Sequence, residues 1–118
     1  MDLFLNWFDL APGVRDADFC DAVAAYLGPL KERGEIASWR LTRRKLAFGP
    51  AELGEFFLVI EVEGLAQLDR AFSTVSRRSG PIEGFHAAVN QKVRNLRAAL
   101  YRDFPDPHRI RGERMAPA

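Results

Sequence analysis

The segment from Glu55 to Glu63, EFFLVIEVE, constrains the fold more than any other part of this chain. Strict alternation places Phe56, Leu58, Ile60 and Val62 on one face of a strand, and Phe57, Val59, Glu61 and Glu63 on the other. The first face is wholly apolar, and the second is apolar for half its length. Residues 2–9 repeat the pattern. Leu3, Leu5 and Trp7 share one face, Phe4, Asn6 and Phe8 the other, and Ala11-Pro12-Gly13 then turns the chain. Strands of this kind are covered on both sides.

Between these strands, Phe19, Val23, Tyr26, Leu27 and Leu30 recur at helical spacing behind a cap at Asp16 or Asp18. Gly28-Pro29 predicts a kink or restart in that helix, and Gly34 its end. Residues 36–48 read as a strand with a basic middle, joined by the loop 49–54 to the strand 55–63 as an antiparallel hairpin. After Gly64, Leu65, Leu68, Phe72 and Val75 line a second helix. Arg77-Arg78-Ser79-Gly80-Pro81 breaks it. Phe85, Val89, Val93, Leu96, Leu100 and Phe104, three or four apart, predict a long C-terminal helix over about 83–104. The fold class expected is α+β, a ferredoxin-like βαββα core lacking a clear fourth strand. Residues 1–104 form its single domain and residues 105–118 a flexible tail.

So small a set of helices covers one face of the sheet. A second copy of the chain is the simplest cover for the other, which predicts a homodimer with Phe57 and Val59, or their opposite-face equivalents, in its interface.

Composition narrows the function classes. The 118 residues are 47% apolar and 28% charged with a net charge of +1, which excludes collagen-like, disordered and disulfide-scaffold chains. No apolar run reaches the ~18–20 residues of a membrane span, and no basic leader precedes Asp2, so no membrane association is expected. Cys20 is the single cysteine, which points to a reducing cytoplasm. The charge is uneven. Residues 1–76 carry eight cations and twelve anions, a net of −4; residues 77–118 carry nine and four, a net of +5. Each half can supply ion-pair partners to the other or to a second subunit; otherwise the basic half is a ligand-facing patch.

The chain resembles the dimeric α/β-barrel superfamily, and within it a small bacterial family of unknown function. The resemblance rests on Tyr26-Leu27, Arg43-Arg44-Lys45-Leu46 and Gly54-Glu55-Phe56. Above all it rests on His86-x-x-Val89-Asn90-x-Lys92-Val93, leading into Ala99-Leu100-Tyr101-Arg102-Asp103-Phe104-Pro105-Asp106. It implies a barrel-lined pocket and no particular chemistry, since members include monooxygenases, lactone isomerases and stress-response proteins. Haem-degrading members use an Asn of the first strand, a Trp and a helical His; Asn6 and His86 match by element, whereas Trp7 and Trp39 fall on strands.

On a helix over 85–104, His86, Arg97, Asn90 and Tyr101 fall within an arc of about 60° beside the apolar stripe. Glu61 and Glu63 are candidate partners. Such a border is either a polar pocket wall, with His86 as acid, base or ligand, or a hydrogen-bond network that docks the helix. No metal site is expected: His86 and His108 are the only histidines, and Cys20 stands alone. Cys20, at the edge of the first helix's apolar stripe, reads as a buried, inert thiol. Alternation splits Arg43 and Lys45 from Arg44, and Glu55, Glu61 and Glu63 would repel phosphate, so no nucleic-acid binding is expected.

The leading expectation is a dimeric protein that binds a small, partly apolar molecule between sheet and helices through His86, Asn90, Arg97, Tyr101 and Glu61, with no cofactor. The alternatives are an oxygenase-type enzyme using His86 and Asn6, and a structural or regulatory partner without a pocket.

Overall fold

The computed structural model describes residues 1–76 and 89–105. Its elements are β1 (Asp2–Leu10), α1 (Asp16–Glu32), β2 (Ser38–Arg43), β3 (Phe56–Val62), α2 (Leu65–Ser76) and β4 (Val93–Arg102). The strands form one sheet in the order β2-β3-β1-β4, and every neighbouring pair is antiparallel. This is the βαββαβ arrangement of the ferredoxin-like fold with its fourth strand present.

That strand corrects the expected long C-terminal helix. Val89 and Asn90 are helical, but from Val93 the chain is extended and pairs with β1, Leu100 opposite Phe4 and Ala98 opposite Asn6. The register shifts between Trp7 and Asp9, where Asn95 takes a φ of 57°. One extra residue in a bulge turns the strand period of two into a spacing of three. Val93 and Leu96 thus stay on the same side of the sheet at a spacing of three, and Leu100 follows at four. A bulged strand imitates the 3-4 rhythm of a helix.

α1 forms because Phe19, Val23, Leu27 and Leu30 make one stripe, and all four are buried. Burying each such side chain stabilises by about 1.5–3 kcal/mol. The helix runs unbroken through Pro29, without the expected restart. Asp16 and Asp18 lie in the first turn, and the N-cap is Arg15, with no side-chain cap bond. At the other end Gly34 adopts a φ of 72°; its N–H donates to Lys31 O (3.0 Å) and the Glu35 N–H to Leu30 O (2.9 Å). This pair of bonds closes a Schellman motif that only a residue free to enter the left-handed region completes cheaply.

The helices pack on the face bearing Phe8, Phe56, Leu58 and Val62. The rings of Phe8, Phe19 and Phe56 stand 5.4–6.0 Å apart and tie β1, α1 and β3 together. Buried Gln67 accepts from the Glu63 N–H (2.7 Å) and donates to Gly34 O (2.8 Å), which docks α2 against the end of α1. The other face carries Leu3, Leu5, Trp7, Phe57 and Val59, with Trp7 stacked on Phe57 at 4.8 Å. No described helix covers it.

β2 is shorter than expected from the sequence. It stops at Arg43, because Leu46 and Ala47 enter the left-handed region and Arg44 turns inward to the loop carbonyls. The expected tail lies outside the described residues from 106 onward. Among the described residues no helix is long and apolar enough to cross a membrane.

Two features hold the start of β3. Gly54 passes so close to β1 that a Cβ there would fall on the backbone of Phe8. Asp9 accepts the Glu55 N–H (2.9 Å) and the Asn95 side-chain amide (3.2 Å), linking β1, β3 and the bulge of β4. The Glu55 hydrogen bond, then that of Asn95, holds the Asp9 carboxyl below the usual range, against a small opposing effect of burial and with help from Arg94 and Arg44.

Gly54→Ala should destabilise the fold by about 1–3 kcal/mol through forced backbone displacement, read as a lower urea midpoint. Asp9→Ala should cost ~1 kcal/mol at neutral pH. Because the folded state lowers the Asp9 pKa, its contribution is full above the unfolded value and fades as pH falls through the folded one. The stability gap between wild type and Asp9→Ala should therefore narrow from pH 7 to about pH 2.5, as followed by urea denaturation.

Candidate functional site

The helix-facing side of the sheet does not close completely. Between it and the helices lies a cavity of about 190 Å³. Its floor is β1 and β3, through Phe4, Asn6, Phe8, Leu58 and Ile60. Tyr26 of α1 and Phe72 of α2 form the walls, and Val89, Asn90, Val93 and Leu96 close the side towards β4. Alternation along β1 puts Asn6 between Phe4 and Phe8 on this face, and the β4 bulge keeps both Val93 and Leu96 turned towards it.

The lining is aromatic and aliphatic, with polar groups from Asn6, Tyr26 and Asn90. Among the described residues that line it none carries a charge. The Asn6 amide donates to Phe4 O at 3.5 Å, the long limit of a hydrogen bond. Phe4 meets Phe72 edge-on at 5.5 Å, which fixes the rim between β1 and α2. Apolar walls around a few amide and hydroxyl groups suit an uncharged ligand held by shape and oriented by one or two hydrogen bonds. The volume lies below the roughly 300–1,000 Å³ of pockets for drug-sized ligands, which suits about one ring or a short acyl chain.

Of the residues singled out in the sequence, the structure brings Asn6 and Asn90 to this cavity. Arg97 and Tyr101 lie on β4 opposite Trp7 and Leu3, and therefore on the other face of the sheet. Glu61 pairs with Leu3 and shares that face. The Arg97 Nε donates to Glu52 O (3.1 Å) beside an open cleft of about 430 Å³ that also reaches Asp9 and Asn95. The grouping of Arg97 and Tyr101 with Asn90 followed from the helical projection, and it dissolves with the helix. His86 and His108 lie outside the described residues.

Tyr26, Phe72, Phe4 and Ile60 were legible only as core. Periodicity reports which side is buried, not where packing leaves a gap. Among the described residues no group of three or more His, Cys, Asp or Glu side chains could hold a metal ion, and Cys20, expected to be buried, is instead exposed on α1.

Comparison with solved structures gives the same architecture. SnoaB, a cofactor-independent oxygenase from Streptomyces nogalater, superposes with a TM-score of 0.67 at 11% identity, over 92% of this chain and 97% of that one. The Arabidopsis thaliana protein At3g17210 gives 0.69 at 6% identity, over 90% and 98%. A dimeric ferredoxin-like protein of unknown function from Thermobifida fusca gives 0.58 at 14%, over 85% and 88%. At these identities the likeness is one of fold. No functionally curated protein matches the sequence. A family model does, over residues 1–116, and the chain therefore belongs to DUF6614, a family of unknown function.

Proposed function

We infer that this protein binds a small, uncharged, partly apolar molecule in the cavity between sheet and helices, and that it does so as a homodimer. The cavity itself carries the reading: a largely apolar chamber with Asn6 and Asn90 at its wall and no charged residue among the described residues that line it. His86 enters this reading from the sequence alone. Glu61, Arg97 and Tyr101, on the opposite face, belong to the subunit contact in this reading rather than to the ligand.

The homodimer is supported by the sheet face that no described helix covers, where half-buried Trp7 and Phe57 stack, and by the dimeric description of the Thermobifida fusca neighbour. A twofold axis would lay this face against its own copy.

A second reading is an oxygenase that works without a cofactor. It is favoured by the position of the Asn6 amide on the cavity floor, where it could hold an oxygen atom of a reacting molecule. The likeness to SnoaB is one of fold and adds no chemistry.

Soaking or NMR titration with a panel of single-ring phenols, quinones and short acyl amides tests the binding. At least one should perturb the signals of Phe4, Asn6 and Phe72 together. Asn6→Leu should weaken a hydrogen-bonding ligand about tenfold, equivalent to ~1.4 kcal/mol, and leave a purely apolar one unaffected. A panel that perturbs none of these residues would refute the cavity as a binding site. Oxygen uptake with an electron-rich phenol, abolished in Asn6→Ala, would establish the second reading; no uptake would remove it. Light scattering should give twice the chain mass of 13.3 kDa for wild type, and a monomer for Phe57→Glu.

A further inference from the structure

The β2–β3 loop displays two large apolar side chains in water. Leu46 is 88% exposed and Phe48 is 89% exposed. They are not on a slack segment. Leu46 and Ala47 take φ values of 57° and 53°, left-handed backbone that is strained for a non-glycine residue. The Arg44 guanidinium holds the loop from inside by donating to Pro50 O (2.8 Å) and Leu53 O (2.7 Å), and the Phe48 N–H closes a turn on Lys45 O (3.0 Å). A strained, internally braced loop thus presents Leu46 and Phe48 outward.

Phe48 also borders a concavity of about 240 Å³ walled by Trp7, Pro50, Leu53 and Phe57 together with the charged Arg43, Arg44 and Glu55. The loop tip and the open face of the sheet therefore meet at one concavity, where apolar side chains lie beside charged ones, with a knob beside a socket. We propose that this loop is a dimer arm: Leu46 and Phe48 of each protomer pack against the open sheet face of a second copy, next to its Trp7–Phe57 stack. The proposal rests on the homodimer inferred above and identifies the contact that completes it.

Area and charge select the occupant. Four strands at roughly 4.8 Å spacing and about seven residues at roughly 3.3 Å give about 400 Å² of flat sheet face. A stable interface takes roughly 800 Å² from each partner, about twice that. The loop supplies further apolar area on the same side, for which a Phe alone contributes about 150–250 Å². A lipid surface fits less well. Arg43 is paired with Asp16 (3.1 Å) and Glu55 (2.9 Å), and Arg44 is bound to carbonyls. Of the Arg43-Arg44-Lys45 run only Lys45 has no such engagement among the described residues, short of the cluster that anionic lipid attracts.

The test is sedimentation equilibrium of wild type, Leu46→Asn/Phe48→Ser and Phe57→Glu, with co-sedimentation on phosphatidylserine-containing vesicles. Asn suits the left-handed position, and both loop side chains are exposed, so the double variant should keep the wild-type far-UV circular dichroism. Its dimer Kd should rise at least about tenfold. A double variant that dimerises like wild type while Phe57→Glu dissociates would overturn the arm and leave the sheet-face dimer standing. A wild-type monomer at high micromolar concentration would overturn both. Vesicle binding lost in the double variant, with dimerisation unchanged, would overturn the arm in favour of a membrane contact.

Discussion

β1 is paired along both of its edges, with β3 on one side and β4 on the other. A strand in that position has no spare backbone donor or acceptor for solvent, and its side chains must satisfy two faces. Phe4, Asn6 and Phe8 point to the helices, and Leu3, Leu5 and Trp7 to the open face. Both surfaces of interest, the cavity and the proposed contact between copies, are built on the alternate residues of this one strand. A one-residue slip of β1 would exchange them.

Much of this was legible in the sequence. The alternation at Glu55–Glu63 and at residues 2–9 is strict, and both segments are strands with the faces read from them. The stripe Phe19, Val23, Leu27, Leu30 is a helix for the same reason. β4 was not legible, because local pattern does not record a bulge. The spacing from Val93 to Leu96 to Leu100 satisfies a helix and a bulged strand equally, and only pairing with β1 decides between them. The cap of α1 was misplaced for a simpler reason: Asp16 and Asp18 both lie within the first turn, where their charge favours the helix end, and the capping position before them is Arg15.

The candidate site shows the same division. Asn6 was identifiable as the polar residue on an apolar strand face, a property of the strand alone. The membership of Asn90 was expected on grounds that failed, since it came from a helical arc shared with Arg97 and Tyr101. Its place beside the cavity depends on the helical backbone at Val89 and Asn90 before β4. The cavity lies where three layers of contacts meet imperfectly, between β1, α1 and α2. Such a gap is a property of volumes across distant segments, and no window of residues contains it.

The bulge of β4 bears on how the chain comes into being. Asp9 and Asn95, joined by a hydrogen bond, are 86 residues apart. A ribosome adding roughly 5–20 residues per second delivers that partner several seconds after β1 has emerged. In that interval β1 can pair with β3 and pack under α1, but its second edge is bare, and that edge belongs to the most aromatic strand of the sheet. Bare strand edges recruit other strands. Correct pairing then depends on β4 arriving before a second nascent chain does, which makes the last strand to be synthesised the guard of the first.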